Sequence, residues 1–231
     1  MMLDEMGREV SFEDISARYR GHESLNWFLE TRDLNDEEPR PRIIEGGLDV
    51  THELRTSDGP WALIIDGDLV TTGDLVFMTE GAGTCALIVT GNVRARNISY
   101  GGSARVAVDG DITASGIITG SWGSDGAVLG TSGVLTARAL LLDPHTPIWA
   151  NAGGPRSVPE AFRTLIVGGT GWQEFVPDID ADMPENGEQT FVPEVLKNGM
   201  LDLYLARKHA ERGGSPFLPE VERSLRAKKG L

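Results

Sequence analysis

Apolar and polar positions alternate in a short phrase that returns along the middle of the chain. Each copy ends in a glycine corner followed by a further apolar residue, and the corner glycines recur at intervals of roughly 20 residues. The copies occupy 43–48, 64–69, 88–93, 107–112 and 130–135. Alternation with period 2 predicts strands with one buried face, and this repeat length is typical of a solenoid. The pattern therefore predicts stacked β-coils between Ile43 and Leu142.

The residues after each corner also align and indicate how the interior is filled. In the second copy they are Leu69, Thr71 and Leu75. The equivalent positions in the other copies are Leu48, Val50 and Leu54; Val93, Ala95 and Ile98; Ile112, Ala114 and Ile117; and Leu135, Ala137 and Leu140. We expect these residues to point inward, with small Ala or Thr where the coil is narrowest. Glycine suits the corner because it lacks a Cβ, and Asp or Asn suits it by hydrogen bonding to its own backbone.

Helical periodicity replaces the repeat on both flanks. Ser11 and Asp14 form a capping-box pattern ahead of apolar residues at helical spacing, and a second helix is predicted to start at Ser24. Further helices are predicted over 200–210 and 218–228. The chain is divided into a helical cap at 1–40, a β-solenoid at 41–176 with a loop insertion at about 143–164, and an acidic crossing with C-terminal helices at 177–231. The predicted fold is mainly β: a short parallel β-solenoid capped by N- and C-terminal α-helices, which would cover its strand edges.

Composition narrows the choice of partner and compartment. The formal net charge is −14, which argues against nucleic acid or an anionic membrane surface as partner. Cys85 is the single cysteine, so no intrachain disulfide or thiolate zinc site is expected. The N-terminus lacks the apolar run of a signal peptide, and no stretch approaches the ~20 apolar residues of a membrane helix. A cytoplasmic location is expected.

The acidic residues at the corners are the strongest candidates for catalysis. Asp66, Asp68, Asp109 and Asp111 flank corner glycines, and paired carboxylates carry out glycoside hydrolysis. Asp68 and Asp111 would lie two rungs apart, at ~10 Å, which is at or beyond the limit for such a pair. No Arg, Lys or His recurs beside them. The sequence therefore predicts corner residues, no catalytic residues and no enzyme.

Metal and cofactor sites are not predicted. The segment 178–182 resembles the start of a calcium loop, but Met183 and Gln189 stand where an EF-hand needs Gly and a carboxylate. The four histidines are scattered without the spacing of metal ligands. The glycine-rich pieces lack the Lys and Ser or Thr of a phosphate-binding loop. Cys85 has no partner base and is expected to be a buried, inert thiol.

Acidic residues without neighbouring cations, interspersed with tryptophans, are the remaining candidate feature. Trp is favoured at binding hot spots, and complementary charge speeds association with a basic partner. The predicted partner-binding residues are Trp122, Asp125, Trp172, Glu174, Asp178, Asp180 and Asp182. The alternative, that the tryptophans cover the flank of the solenoid, stays open.

The glycine–aspartate phrases from about Ile43 to Leu142 resemble the β-helix of bactofilin-type, polymer-forming proteins. That resemblance implies filaments of stacked coils, but here both flanks are predicted to be folded. The whole arrangement is also similar to β-helix immunity proteins of bacterial polymorphic toxin systems, which implies binding and neutralising of a toxin domain. The leading hypothesis is a non-enzymatic binding protein for a basic toxin or effector domain. The alternatives are a bactofilin-like structural protein and a carbohydrate-active β-helix enzyme, and the oligomeric state is left open.

Overall fold

Strands dominate the computed structural model, which describes residues 2–20, 41–79, 85–121, 126–152, 159–169, 177–179 and 184–231. Its strands are β1 Arg8–Glu9, β2 Pro41–Glu45, β3 Leu48–Val50, β4 Leu54–Arg55, β5 Trp61–Asp66, β6 Leu69–Thr71, β7 Leu75–Met78, β8 Cys85–Val89, β9 Val93–Ala95, β10 Ile98–Gly101, β11 Ala104–Val108, β12 Ile112–Ala114, β13 Ile117–Ser121, β14 Val128–Thr131, β15 Leu135–Leu142, β16 Ile148–Ala150, β17 Phe162–Gly168, β18 Leu196–Lys197 and β19 Met200–Leu201. Its α-helices are α1 Phe12–Arg18, α2 Pro184–Thr190, α3 Leu203–Glu211 and α4 Pro219–Lys229.

The strands wind into a parallel β-solenoid of about five turns. One stack runs β2, β5, β8, β11, β14 and β16, and each strand pairs in parallel with the next. Two further stacks start at β3 and β4, and both lead to the long strand β15, which joins them. β17 pairs along β15 and adds a further rung. The mainly β solenoid predicted from the repeat is confirmed.

The interior contains the residues that the repeat assigns to it, with one exception. Thr71 and its equivalents Ala95, Ala114 and Ala137 are all buried, so small side chains do occupy the narrowest position. Ile117 was expected to point inward, but its neighbour Ile118 pairs with Ile98 and belongs to the interior core. Ile117 instead packs on the outer face, in a separate apolar cluster. This prediction was wrong because the corner before β13 is one residue longer than the corner before β10. A shift of one residue moves a side chain to the other face of the strand.

Residues 2–9 close the N-terminal end of the solenoid. β1 pairs antiparallel with β2 and so covers the free edge of the first coil. Leu3 is completely buried in the interior core. Arg42 donates to the backbone oxygens of Met6 and Gly7 at 2.9 and 2.7 Å. An exposed strand edge is a template for pairing with another chain, so this covering removes one route to self-association.

Helix α1 lies against the outer face of the first stack. Ser11 accepts a hydrogen bond from the amide of Asp14 at 3.0 Å, as the capping pattern predicts. Ile15 and Tyr19 are buried and pack on the outward isoleucines of β2, β5 and β8. The first stack is therefore buried on both faces in these coils. The predicted helix starting at Ser24 lies outside the described residues.

The C-terminal helices lie along the flank of the solenoid and not across its end. Their apolar residues pack on the outer face of β13, β15 and β17, where they bury Ile117, Leu141 and Val167. Within this cluster the rings of Phe191 and Phe217 stack with centroids 5.5 Å apart. Helix α2 falls in the segment that the sequence indicated as a loop or crossing, and Met200 lies in the β18–β19 hairpin ahead of α3.

One ion pair ties α4 to the solenoid. Arg138 Nε and Nη2 donate to the two carboxylate oxygens of Glu222 at 2.6 and 2.9 Å. Glu222 is only 7% exposed and also accepts a hydrogen bond from Ser215. Burial alone would raise the pKa of Glu222, but the hydrogen bonds from Arg138 and Ser215 outweigh it and lower the pKa. The charged form is therefore stabilised in the folded protein.

Replacing Glu222 by Gln is expected to weaken the docking of α4. The variant leaves the Arg138 guanidinium without its carboxylate, which costs about 1–3 kcal/mol of unfolding free energy. Because Arg138 is partly exposed to solvent, the lower part of that range is expected. Urea unfolding at neutral pH measures the difference, with the exposed Glu220→Gln as the matched control on the same helix.

The pH dependence gives a second readout of the same pair. A carboxyl whose folded pKa is lowered contributes stability above its unfolded pKa, and this contribution disappears as the pH falls through the folded pKa. The gap between the wild-type protein and Glu222→Gln should therefore narrow below about pH 4.5, the ordinary value for Glu. A gap that stays constant down to acid unfolding would contradict the role assigned to this ion pair.

Candidate partner-binding surface

Asp178 is the one predicted contact residue that falls within the described residues, and it is bound within the fold. Its Oδ2 lies 2.6 Å from Lys229 Nζ and accepts the amide hydrogen of Ile166 at 2.8 Å. Its own amide donates to the carbonyl oxygen of Ile166. Asp178 thus anchors the crossing segment to β17 and to the end of α4, and Lys229 neutralises its charge.

The other predicted contact residues lie outside the described residues. They are Trp122, Asp125, Trp172, Glu174, Asp180 and Asp182. Their contribution to a binding surface stays a prediction. Trp149, in β16, lies over Gly130 of β14, where an added Cβ would meet its ring at 1.8 Å. This tryptophan covers the flank of the solenoid, as the alternative interpretation of the tryptophans expects.

A ladder of side chains connects the glycine corners of successive coils. Asp68 Oδ1 accepts the amide hydrogen of Asn92 at 2.7 Å. Asn92 Oδ1 in turn accepts that of Asp111 at 2.9 Å, and Asp111 Oδ1 accepts that of Val134 at 2.8 Å. Each corner side chain therefore binds the backbone of the next coil. The sequence analysis instead predicts a hydrogen bond from each side chain to its own backbone. The ladder satisfies amides that the strand pairing leaves free at the corner.

Glycine is required at these corners because the ladder occupies the space of a Cβ. A Cβ at Gly91 would lie 2.3 Å from Asp68 Oδ1, and one at Gly133 would lie 2.3 Å from Asp111 Oδ1. Both distances are below any tolerable contact. The glycine of one coil thus leaves room for the acceptor of the coil before it. The Gly-Asp or Gly-Asn phrase of the sequence is explained by this contact between neighbouring coils.

A second ladder occupies the next corner, and the sequence analysis missed it. Asp74 is buried and accepts hydrogen bonds from Arg96 Nε at 2.8 Å and Asn97 Nδ2 at 2.9 Å. Asn97 Oδ1 accepts the amide hydrogen of Ile117 at 2.9 Å. The signal was present, because a Gly-Asp pair also precedes the inward Leu75. The acid of this corner is buried and paired with Arg96, so it is not available to a partner.

Charge is distributed unevenly along the first corner. Arg18 of α1 binds both Glu45 and Asp66, the latter at 2.6 Å. The Arg18 hydrogen bond lowers the pKa of Glu45. Tyr19 follows Arg18 at the C-terminal end of α1, and its burial, together with Asp66, raises the pKa of Tyr19 to about 12. The acids of the first two coils are thus partly neutralised by α1.

Asp68 and Asp111 remain exposed acids on this corner. Each has one oxygen fixed by a backbone amide, and its Oδ2 makes no hydrogen bond to the residues that the structure describes. Parallel strand spacing places them ~10 Å apart, two rungs along a rigid edge. We call Asp68, Asp109 and Asp111 the acidic edge. Its geometry suits ion pairs with spaced Lys or Arg side chains better than joint action on one scissile bond.

Other chemistry finds little support in the described part of the chain. No group of three or more His, Cys, Asp or Glu residues there could hold a metal ion. Cys85 is buried, and burial raises the pKa of its thiol, as expected for an unreactive cysteine. No helix within the described ranges is long and apolar enough to cross a membrane.

Comparison with family models, with curated proteins and with solved structures finds no match for this chain. The resemblances to bactofilins and to immunity proteins gain no support from known proteins, and the feature that stands is the parallel β-solenoid.

Substitutions at Asp111 are expected to separate the ladder from the charge. Asp111→Ala removes the acceptor for the Val134 amide and should cost about 1–3 kcal/mol of unfolding free energy. Asp111→Asn keeps a carbonyl oxygen at the same place, as Asn92 already does one coil earlier, and should stay within about 0.5 kcal/mol of the wild-type protein. Urea unfolding distinguishes the two. Equal losses for both variants would show that the carboxylate charge, and not the acceptor, matters here.

Proposed function

We propose that this protein is a non-enzymatic binding protein that holds a basic protein domain against its acidic edge. The observation that carries the proposal is the pair of exposed carboxylates of Asp68 and Asp111, each fixed by a backbone amide of the following coil. Side chains that are already ordered lose little conformational entropy on binding, so their ion pairs are less costly to form. The formal net charge of −14 strengthens attraction to a cationic partner.

Neutralising a toxin or effector domain is the role proposed for this binding. A basic domain with nucleic-acid or anionic substrates presents cations in its own site, and a rigid row of carboxylates can cover them. Complementary charge of this kind raises the association rate and makes binding sensitive to salt. The two resemblances drawn from the sequence include such a role, and the acidic edge provides a surface for it.

The closed first coil favours this proposal over the alternative of a bactofilin-like polymer. Head-to-tail stacking needs a free β2 edge, and β1 occupies that edge while Leu3 fills the core behind it. The protein is therefore expected to form a discrete small species in light scattering after size exclusion. Filaments in electron micrographs of the purified full chain would contradict the proposal and support the structural alternative.

The binding proposal is tested with the purified product of the adjacent gene, if that product is basic. Wild-type protein should bind it, and the affinity should fall as sodium chloride rises. The double variant Asp68→Asn/Asp111→Asn keeps both ladder acceptors and removes two charges. At about 0.5–1 kcal/mol for each exposed ion pair, its Kd should rise roughly tenfold in isothermal titration calorimetry.

The control removes two exposed acids elsewhere, with Glu194→Gln/Glu220→Gln. Its Kd should stay within about twofold of the wild-type value, because only weak long-range attraction changes. An equal loss in both double variants would show that net charge, and not the acidic edge, determines binding. A neighbouring protein that is basic but does not bind would overturn the proposed function itself.

A further inference from the structure

The second strand stack begins with an edge that the N-terminal cap leaves open. The first coil consists of β2, β3 and β4, and residues 2–9 cover two of these strands: β1 pairs with β2, and Met2 forms a bridge to Arg55 of β4. β3 lies between them and pairs with β6 of the following coil. Among the described residues no strand pairs with its other edge. β3 is therefore the uncovered end of its stack.

Four backbone groups of β3 and its flanks face this open side. The amide of Leu48 donates at 2.8 Å and the carbonyl of Val50 accepts at 3.3 Å, both toward the following coil. Because a trans peptide unit directs its N–H and C=O in opposite directions, the carbonyl of Gly47 and the amide of Thr51 point the other way. Asp49 alternates with its neighbours, so its N–H and C=O also face outward. None of the four groups makes a hydrogen bond within the described part of the chain.

The end of the apolar core is partly exposed beside the same edge. Leu48 and Val50 pack against the interior core but are only half-buried. Their equivalents in the next coil, Leu69 and Thr71, are 0% and 4% exposed. Met6 of the cap is also only partly buried against this core. A further strand along β3 would bury these side chains as a neighbouring coil buries those of the later coils.

Unpaired backbone groups next to exposed apolar side chains are the two parts of a strand-addition site. In this mode of recognition an extended segment joins the edge of a sheet, its backbone supplies hydrogen bonds, and alternate side chains fill adjacent apolar sites. Both parts are present at β3. The three residues of β3 allow one short strand to bind there.

A second copy of this chain does not suit the edge. A symmetric pair of β3 strands would place Asp49 of one copy opposite Asp49 of the other, and like charges directly opposite each other are destabilising. The formal net charge of −14 adds repulsion between copies. A whole coil cannot stack there either, because β1 already occupies the edge of β2. The open edge therefore fits a single strand of a different protein.

The charge at the edge selects a cationic occupant. Asp49 is exposed, and its carboxylate makes no ion pair or hydrogen bond to the residues that the structure describes. Asp68 is a second exposed acid, at the adjacent corner of the next coil. The cation in the same outward column is Arg94, which lies two rungs away at ~10 Å. A Lys or Arg opposite Asp49 would form a favourable cross-strand pair.

We propose that the β3 edge binds an extended segment of another protein in which apolar side chains alternate with Lys or Arg. The backbone of the segment pairs with the N–H and C=O of Asp49, its apolar side chains cover Leu48 and Val50, and its cation faces the Asp49 carboxylate. The acidic edge is proposed to bind the side chains of a folded domain, whereas β3 binds the backbone of a strand. The two proposals are independent, and either can fail without the other.

An NMR titration of the ¹⁵N-labelled full chain tests the edge with a capped hexapeptide of alternating lysine and valine. The amide signals of Asp49 and Thr51 should shift saturably, with a Kd on the order of 1 mM or tighter. The same peptide with glutamate in place of lysine should bind roughly fivefold or more weakly, because it places a like charge opposite Asp49. No saturable shift of these two amides up to roughly 10 mM, or equal binding of both peptides, would overturn the proposal.

Variants at Asp49 separate strand addition from general attraction to cations. Asp49→Pro removes the outward N–H, which no bond to β6 uses, so the edge strand should be retained while the Kd of the lysine peptide rises roughly tenfold or more. Asp49→Lys keeps every backbone group and should reverse the preference, so that the glutamate peptide binds more tightly. This charge reversal decides the site even if Asp49→Pro does not fold.

Glu194→Lys is the matched control, because it makes the same change of charge at an exposed residue among the C-terminal elements. Both peptides should keep their Kd values within about twofold of those for the wild-type protein. An unchanged preference in Asp49→Lys, or equal changes in Asp49→Lys and Glu194→Lys, would overturn the site.

Discussion

The register between neighbouring coils is the constraint on which the rest of this structure depends. Side chains alternate between the interior and the outer face with period 2, so a slip of one residue in any coil exchanges the two faces. The corner ladder opposes such a slip, because Asp68, Asn92 and Asp111 each bind one particular amide of the next coil. Glycine at the next corner is what allows each acceptor to reach that amide. Core filling and outer-face docking both follow once this register is set.

A fixed register makes the outer faces as well defined as the interior. In the early coils the first stack presents isoleucines, and α1 covers them. In the late coils the third stack presents Ile117, Leu141 and Val167, and the C-terminal elements cover those. Between these regions the third stack presents Val76 and Met78 to a groove that separates it from α3. The groove therefore exists because α3 docks on the late coils and extends past the early ones without closing on them.

The sequence predicts those features whose cause is local. The phrase around Gly67 or Gly110 identifies a corner because its residues act within one coil and the next, and Ala95 and Ala114 mark the narrow interior by size alone. The offset of five residues from Val93 to Ile98 predicts Ile117 as the inward residue of the next coil. The inward residue is Ile118, six residues after Ile112, which is the offset that the first two coils show. The Arg138–Glu222 and Lys229–Asp178 pairs join residues 84 and 51 positions apart, so no local pattern indicates them. Asp178 looked like a free acid for the same reason.

Long-range ion pairs also decide which charges the protein presents to a partner. Four ion pairs hold α1, the second corner, α4 and the crossing in place. Their cations are, in that order, Arg18, Arg96, Arg138 and Lys229. The charges of those acids are neutralised within the fold. Asp68 and Asp111 of the acidic edge differ, because their carboxylates are held by uncharged amides, which fix their position without neutralising them. A backbone donor can order an acid and leave its charge available, whereas a cation cannot. This difference, more than the total charge, is the physical reason to assign recognition to Asp68 and Asp111.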